Sequence, residues 1–186
     1  YDKEAEELEA MIEKGESGER TPVYYQTAAS YGTPDYGTTY VEINLTAQHL
    51  FFYQDGKLMM ESDFVSGNSA KGHDTPAGVY SITYKLTGEN YQTPVSYWMP
   101  FNKNIGMHDA NWRSSFGGTI YKTKGSHGCI NMPPAKAQEM YSYVQKGTPV
   151  ICYHLAGTER PSEQEKGAPT EGSEAADTSA ETDTVQ

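Results

Sequence analysis

Val41, Ile43 and Leu45 alternate with Tyr40, Glu42 and Asn44. That period of two is the pattern of a strand with one face buried, and it rules out a helix across the same residues. The strand-like runs that follow are short and separated by turn signals. Leu50 to Tyr53, Asp55-Gly56 and Lys57 to Val65 read as a β-hairpin, because Asp-Gly tolerates the positive φ values of a tight turn. Thr75-Pro76-Ala77-Gly78 is a further turn, with a strand expected over Val79 to Tyr84. Val95 to Met99 and Ile105 to His108 are two more strand candidates, and Thr148 to Tyr153 is the last. One helix interrupts them. It is expected to start at Pro133-Pro134, to carry an apolar stripe of Ala137, Met140, Tyr141 and Val144, and to stop at Gly147. The spacing predicts a mostly β domain over residues 39–157.

The flanks differ in composition. The formal net charge of −11 sits at the two ends: residues 1–20 hold eight Asp/Glu against three Lys/Arg, and residues 158–186 hold eight against two. The stretch between them is formally neutral, so it presents no broad basic stripe and nucleic acid is not an expected partner. Leu8, Met11 and Ile12 share one face of a helix over residues 2–14 that Gly15 ends. So short a helix is marginal in isolation, and residues 1–20 are read as the end of a preceding domain. Residues 21–38 are read as a linker. Residues 158–186 hold Val185 as their one large apolar side chain, and are expected to form an acidic disordered tail. No apolar run approaches the roughly 18–20 residues of a membrane span. The first residues lack the basic and apolar stretches of a signal peptide. The chain starts without Met inside an acidic helical pattern, so it is expected to be part of something longer.

Chemistry concentrates in Ser126-His127-Gly128-Cys129-Ile130-Asn131. A thiol becomes a strong nucleophile as its thiolate, which a neighbouring imidazole favours. Gly128 lets the backbone approach a substrate closely, and the amides of Gly128 and Cys129 are candidate donors to a developing oxyanion. His108, in a separate segment, is a candidate base brought in by folding. A buried structural role for Cys129 is the alternative, but the polar Ser, His, Gly and Asn around it suit a packed strand poorly. Cys152 shows the contrast: Val150-Ile151-Cys152-Tyr153 is apolar, and there the core role is expected. The two cysteines are read as unpaired. A zinc site of His127, Cys129 and His108 is the other alternative. Structural zinc takes four ligands, and His49, His73 and His154 are scattered, so no metal is expected.

Ser126-His127-Gly128-Cys129-Ile130-Asn131, with Gly106-Met107-His108-Asp109 placing a histidine 21 residues before the cysteine, resembles the active-site signature of the YkuD-like L,D-transpeptidases. Thr75-Pro76-Ala77-Gly78 resembles a further family segment, and Tyr40 to Gly67 resembles the family's opening strand and hairpin. The resemblance covers about residues 39–153. It implies a YkuD-like β-sandwich with one helix after the catalytic motif, and a Cys129 nucleophile served by His108. It implies that the backbone carbonyl of Asp109 orients the imidazole. His127, Gly128 and Cys129 would supply backbone donors, while Ser126 and Asn131 brace the loop. His127 is the rival base, but two residues from Cys129 it is poorly placed to fold back on the sulfur. Tyr97, Trp98 and Phe101 are candidates for an aromatic wall over the substrate, and Arg113 for a clamp on a substrate carboxylate.

The implied reaction joins peptidoglycan stem peptides by 3→3 cross-links through a cysteine thioester, with release of D-alanine. No cofactor is implied, and carbapenem β-lactams are implied inhibitors. The alternatives are an L,D-carboxypeptidase, in which water replaces the acceptor amine, and a non-catalytic wall-binding module. The implied location is the cell envelope, outside the cytoplasm, with any membrane anchor in a preceding region. Arg20-Thr21-Pro22-Val23-Tyr24 resembles the end of a peptidoglycan-binding domain.

Overall fold

The computed structural model describes residues 2–18, 34–88 and 95–161. Helix α1 (Asp2–Glu13) is followed by β1 (Tyr40–Asn44), β2 (His49–Gln54), β3 (Lys57–Asp63), β4 (Gly78–Ser81), β5 (Leu86–Thr87), β6 (Tyr97–Asn102) and β7 (Ile105–Asp109). A short α2 (Tyr121–Lys124), β8 (Ile130–Met132), α3 (Pro134–Tyr143) and β9 (Pro149–Tyr153) complete the order. The strands form a five-stranded sheet, β3-β2-β1-β9-β4, and a four-stranded sheet, β5-β6-β7-β8. Both are mixed, because β1 runs parallel to β9 and β7 parallel to β8. The linker and the Arg20 to Tyr24 segment fall almost wholly outside the described residues, as does the tail from residue 162 on.

The alternation seen in the sequence is the alternation of burial. Val41 and Ile43 of β1 are fully buried while Tyr40 and Glu42 keep partial exposure. The hairpin turns through Asp55 and Gly56 with φ of 51° and 75°, the geometry a two-residue turn needs to match strand twist. Between the sheets lies one core. Val41, Ile43, Leu50, Phe52 and Val150 supply it from the first sheet, and Met99, Met107, Ile130 and Met132 from the second. Helix α3 closes it with Ala137 and Met140, and the ring of Tyr143 stacks on Phe52 at 5.2 Å.

Several features differ from the sequence expectation, among them the short β5. The strand expected over Val79 to Tyr84 is split. Gly78–Ser81 pairs with β9, after which Thr83 donates to the Pro100 carbonyl in the other sheet. The chain turns the corner of the sandwich there, a geometry no local periodicity reports. Ile130–Met132 forms an unexpected strand: all three residues are buried, and three residues are too few for a pattern to register. Helix α2 was not expected either.

The C-terminus of α3 is capped from outside. Lys85 Nζ lies 2.9 Å from the Tyr141 carbonyl and 2.8 Å from that of Val144, and 4.4 Å from the centroid of the Tyr141 ring. A cation on the last carbonyls satisfies orphan acceptors and opposes the helix dipole. Lys85→Met keeps the stem and removes the charge. It should cost about 1–3 kcal/mol and lower Tm by roughly 5–10 °C. A thermal melt with unchanged Tm would show that the cap contributes nothing.

Candidate active site

Parallel pairing of β7 with β8 assembles the site. The register sets Met107 beside Ile130, His108 beside Asn131 and Asp109 beside Met132. Met107, Ile130 and Met132 belong to the core, so the period of two turns His108 and Asn131 to the other face of the sheet. Cys129 precedes Asn131 by two positions. The structure brings Cys129 and His108 into one cavity of about 530 Å³, which Asn131, Trp98, Trp112 and Arg113 also line. Trp98 faces His108 directly across β6 and β7. The imidazole lies between two indoles, with ring centroids 5.8 Å from Trp98 and 5.9 Å from Trp112.

Both ring nitrogens of His108 are engaged. Nδ1 lies 2.8 Å from the backbone carbonyl of Asp109, which can only accept, so Nδ1 carries the proton. Nε2 lies 2.9 Å from Nδ2 of Asn131, which can only donate, so Nε2 presents its lone pair. Asn131 in turn accepts from Arg113 Nε at 3.0 Å, and Arg113 Nη1 donates to the Lys124 carbonyl at 2.8 Å. The Cys129 thiol lies 3.6 Å from the Asn104 carbonyl. Burial pushes the Cys129 thiol above its ordinary value, opposed by a hydrogen bond from the Gly106 amide. Burial also pulls His108 below 6.5, opposed by Asp109 and reinforced by the charge of Arg113. Both shifts favour the neutral forms, so the resting pair is a thiol and an uncharged imidazole. Such a pair suits proton transfer during attack rather than a preformed ion pair.

The loop ahead of β8 is held on three sides. Ser126 Oγ donates to the Cys129 carbonyl at 2.6 Å and accepts from the Gly128 amide at 3.0 Å. Backbone bonds join Ser126 to Ser66 and Asn68. Thr75 Oγ1, buried, accepts from the Gly67 amide and donates to the Gly128 carbonyl at 2.7 Å. The threonine of the Thr-Pro-Ala-Gly turn thus fastens the residue next to Cys129, a role hidden in sequence because 53 positions separate the two. Gly128 has φ of +124°, and a Cβ there would sit 3.2 Å from Ile105 Cδ1, so the position demands glycine.

Several expected roles change. The Gly128 amide is spent on Ser126, which leaves the amides of His127 and Cys129 as the loop's donors without an acceptor among the described residues. The Asn131 side chain does not brace the loop; it sits between Arg113 and His108. Arg113 lines the cavity and donates from Nε to Asn131 and from Nη1 to the Lys124 carbonyl. Tyr97 lies on the opposite face of β6 from Trp98 and packs on the core, its ring 5.4 Å from Tyr141, while Phe101 is buried in the core. Only Trp98 of that aromatic trio lines the cavity, with Trp112 supplying the second wall. The Asp109 carboxylate accepts from the Ser96 and Tyr97 amides at 2.7 and 2.8 Å, pinning the start of β6. His127 is exposed, its ring 4.8 Å from that of His73. Among the described residues no three His, Cys, Asp or Glu side chains converge as metal ligands. Cys152 is buried in β9, and burial pushes its thiol up to about 12.

Comparison with known proteins agrees with this geometry. The family model of the L,D-transpeptidase catalytic domain, YkuD, matches residues 38–152. No curated protein matches the chain. A crystal structure of an Enterococcus faecium L,D-transpeptidase, a Cys-to-Ser mutant, is 40% identical with a TM-score of 0.67. The match covers 82% of this chain and 64% of that one. This chain therefore spans less than two thirds of that relative's length. The NMR structure of the catalytic domain from E. faecium L,D-transpeptidase acylated by ertapenem is 41% identical with a TM-score of 0.55, covering 63% of this chain and 98% of that one. A Mycobacterium smegmatis L,D-transpeptidase shares the fold at 21% identity and a TM-score of 0.53, covering 62% of this chain and 58% of that one.

Proposed function

The chain belongs to the L,D-transpeptidase family, and from that premise we propose that it cross-links peptidoglycan stem peptides through a thioester on Cys129. The observation that carries the reading is a cavity holding both the Cys129 thiol and a His108 imidazole whose Nδ1 proton is anchored on a carbonyl. Anchoring one nitrogen leaves the other as the base. At rest the thiol bonds to Asn104 and Nε2 to Asn131. Sγ must turn from the Asn104 carbonyl and displace the Asn131 amide to hand its proton to Nε2. Sγ then attacks the carbonyl joining the third stem residue to D-alanine. The negative charge that gathers on that oxygen is met by the His127 and Cys129 amides. His108 returns the proton to the departing amine, D-alanine leaves, and a thioester remains. The side-chain amine of a second stem attacks the thioester, its proton passes to His108 and on to sulfur, and the thiol is restored. Each step conserves electron pairs within thiol, imidazole and amide, so the chemistry calls for no cofactor.

The same electrophile logic extends to β-lactams. The acylation by ertapenem seen in the E. faecium catalytic domain is proposed for Cys129 here. Cross-linking of stem peptides would place the chain outside the cytoplasmic membrane, with the catalytic unit over residues 39–157.

Mass spectrometry of the chain mixed with a stem tetrapeptide tests the reading. A thioester on Cys129 and a dimer lacking one D-alanine are expected. Free tripeptide without dimer would assign water as the acceptor. A folded chain that forms no acyl-enzyme would sink the proposal.

A further inference from the structure

We infer that Arg113 is a positioning residue, which through Asn131 keeps Nε2 of His108 an unprotonated acceptor. Hydrogen-bond polarity carries the inference. Arginine can only donate, so the Asn131 oxygen must face Arg113 Nε at 3.0 Å. The amide nitrogen is then forced toward His108 Nε2 at 2.9 Å, and it too can only donate. Without Arg113 the amide could turn end for end at little cost. It would then offer its oxygen to an Nε2–H, which suits the imidazolium, whose Nδ1–H still meets the Asp109 carbonyl. Arg113 removes that option. It is itself anchored by Nη1 on the Lys124 carbonyl, at the end of α2 and two residues before Ser126.

The arrangement also acts on charge. An imidazolium here would point Nε2–H at the Asn131 N–H, donor against donor, with a guanidinium behind it. The groups that face His108 are few. The 109–113 segment supplies Asp109, Trp112 and Arg113, β6 supplies Trp98, β8 supplies Asn131, and the loop before β8 supplies Cys129. The Asp109 carboxylate is turned to the Ser96 and Tyr97 amides, and the His127 ring packs tilted against that of His73 at the cavity edge. Arg113 therefore stands as the cation that disfavours charge on the imidazole, in the same sense as its effect on the His108 titration. A reluctant imidazolium is a strong acid. It would pass its proton promptly to a leaving amine rather than hold it.

The test needs no substrate, so its failure would not be confused with a failure of the proposed acyl transfer. The full chain with ¹⁵N-labelled histidine is followed by long-range ¹H–¹⁵N correlation through a pH series. In the parent protein His108 should show a protonated Nδ1, a bare Nε2 and a midpoint below 6.5. Arg113→Met should raise that midpoint by about one pH unit. Arg113→Gln removes the charge and can accept as well as donate, so it no longer fixes the Asn131 amide and should raise the midpoint too. The acidic limb of ertapenem acylation should move up with the midpoint in both. Should Arg113→Met not fold, Arg113→Gln decides on the midpoint alone. A folded variant whose His108 midpoint matches the parent's would overturn the inference.

Discussion

Replacing Cys129 by alanine should abolish turnover and the ertapenem adduct together, with the circular dichroism spectrum unchanged. The expectation follows from where the sulfur sits. Its side chain lines the cavity rather than the core, so its loss opens no packing defect. It is also the thiol that shares a cavity with an uncharged imidazole able to take its proton. Cys152→Ala reverses the pattern. That thiol is buried in β9 and pushed up to about 12 by burial, so it offers almost no thiolate at neutral pH and has no access to substrate. Its truncation should cost stability, about 1–2 kcal/mol for a small buried side chain, and should keep specific activity. Peptide mapping after ertapenem treatment should find one adduct, on the peptide containing His127-Gly128-Cys129. An adduct on Cys152, or activity surviving in Cys129→Ala, would refute the division of roles.

His108→Ala should slow single-turnover acylation by about 10²–10⁴-fold, the usual contribution of a positioned general base, while His127→Gln should slow it far less. The two differ in surroundings. His108 is buried with both nitrogens in defined bonds, whereas His127 is exposed and its ring packs on His73. The backbone amide of His127, the part proposed to face the oxyanion, survives the change to glutamine. The pH dependence has a definite sign. His108 must be neutral to accept the thiol proton, and burial pulls its value below 6.5. The acylation rate should therefore hold through neutral pH and fall only as the pH drops through that lowered midpoint. At the alkaline end, the raised Cys129 value means that spontaneous thiolate adds to the rate only above the ordinary range for a thiol. His108→Ala should lose the acidic limb. Acylation at the parent rate, or an acidic limb that persists in that variant, would assign the base elsewhere.

How far the chain could be read in advance depended on the distance over which each interaction acts. Val41, Ile43 and Leu45 announced a half-buried strand because burial alternates residue by residue, and Asp55-Gly56 announced its turn because few pairs tolerate two positive φ values. Pro133-Pro134 and Gly147 bracketed α3 for the same local reason. Polar residues crowding Cys129, against the apolar run around Cys152, were enough to separate a thiol that lines the cavity from one packed in the core.

Pairings between distant segments left no such mark. The sequence alone determined most of the strands, the helix that follows the motif, and the cysteine that stands in chemical surroundings, since these follow from backbone conformation and composition over a few neighbouring residues. Only the tertiary structure decided that Thr75 fastens Gly128, that Gly128 spends its amide on Ser126, and that Tyr97 belongs to the core while Trp112 walls the cavity. It also decided that Arg113 addresses Asn131 rather than open solvent. The meeting of His108 with Asn131 depends on the register of β7 against β8, and the place of Tyr97 on the face β6 turns inward. A shift of one residue in either would exchange every inward side chain for an outward one.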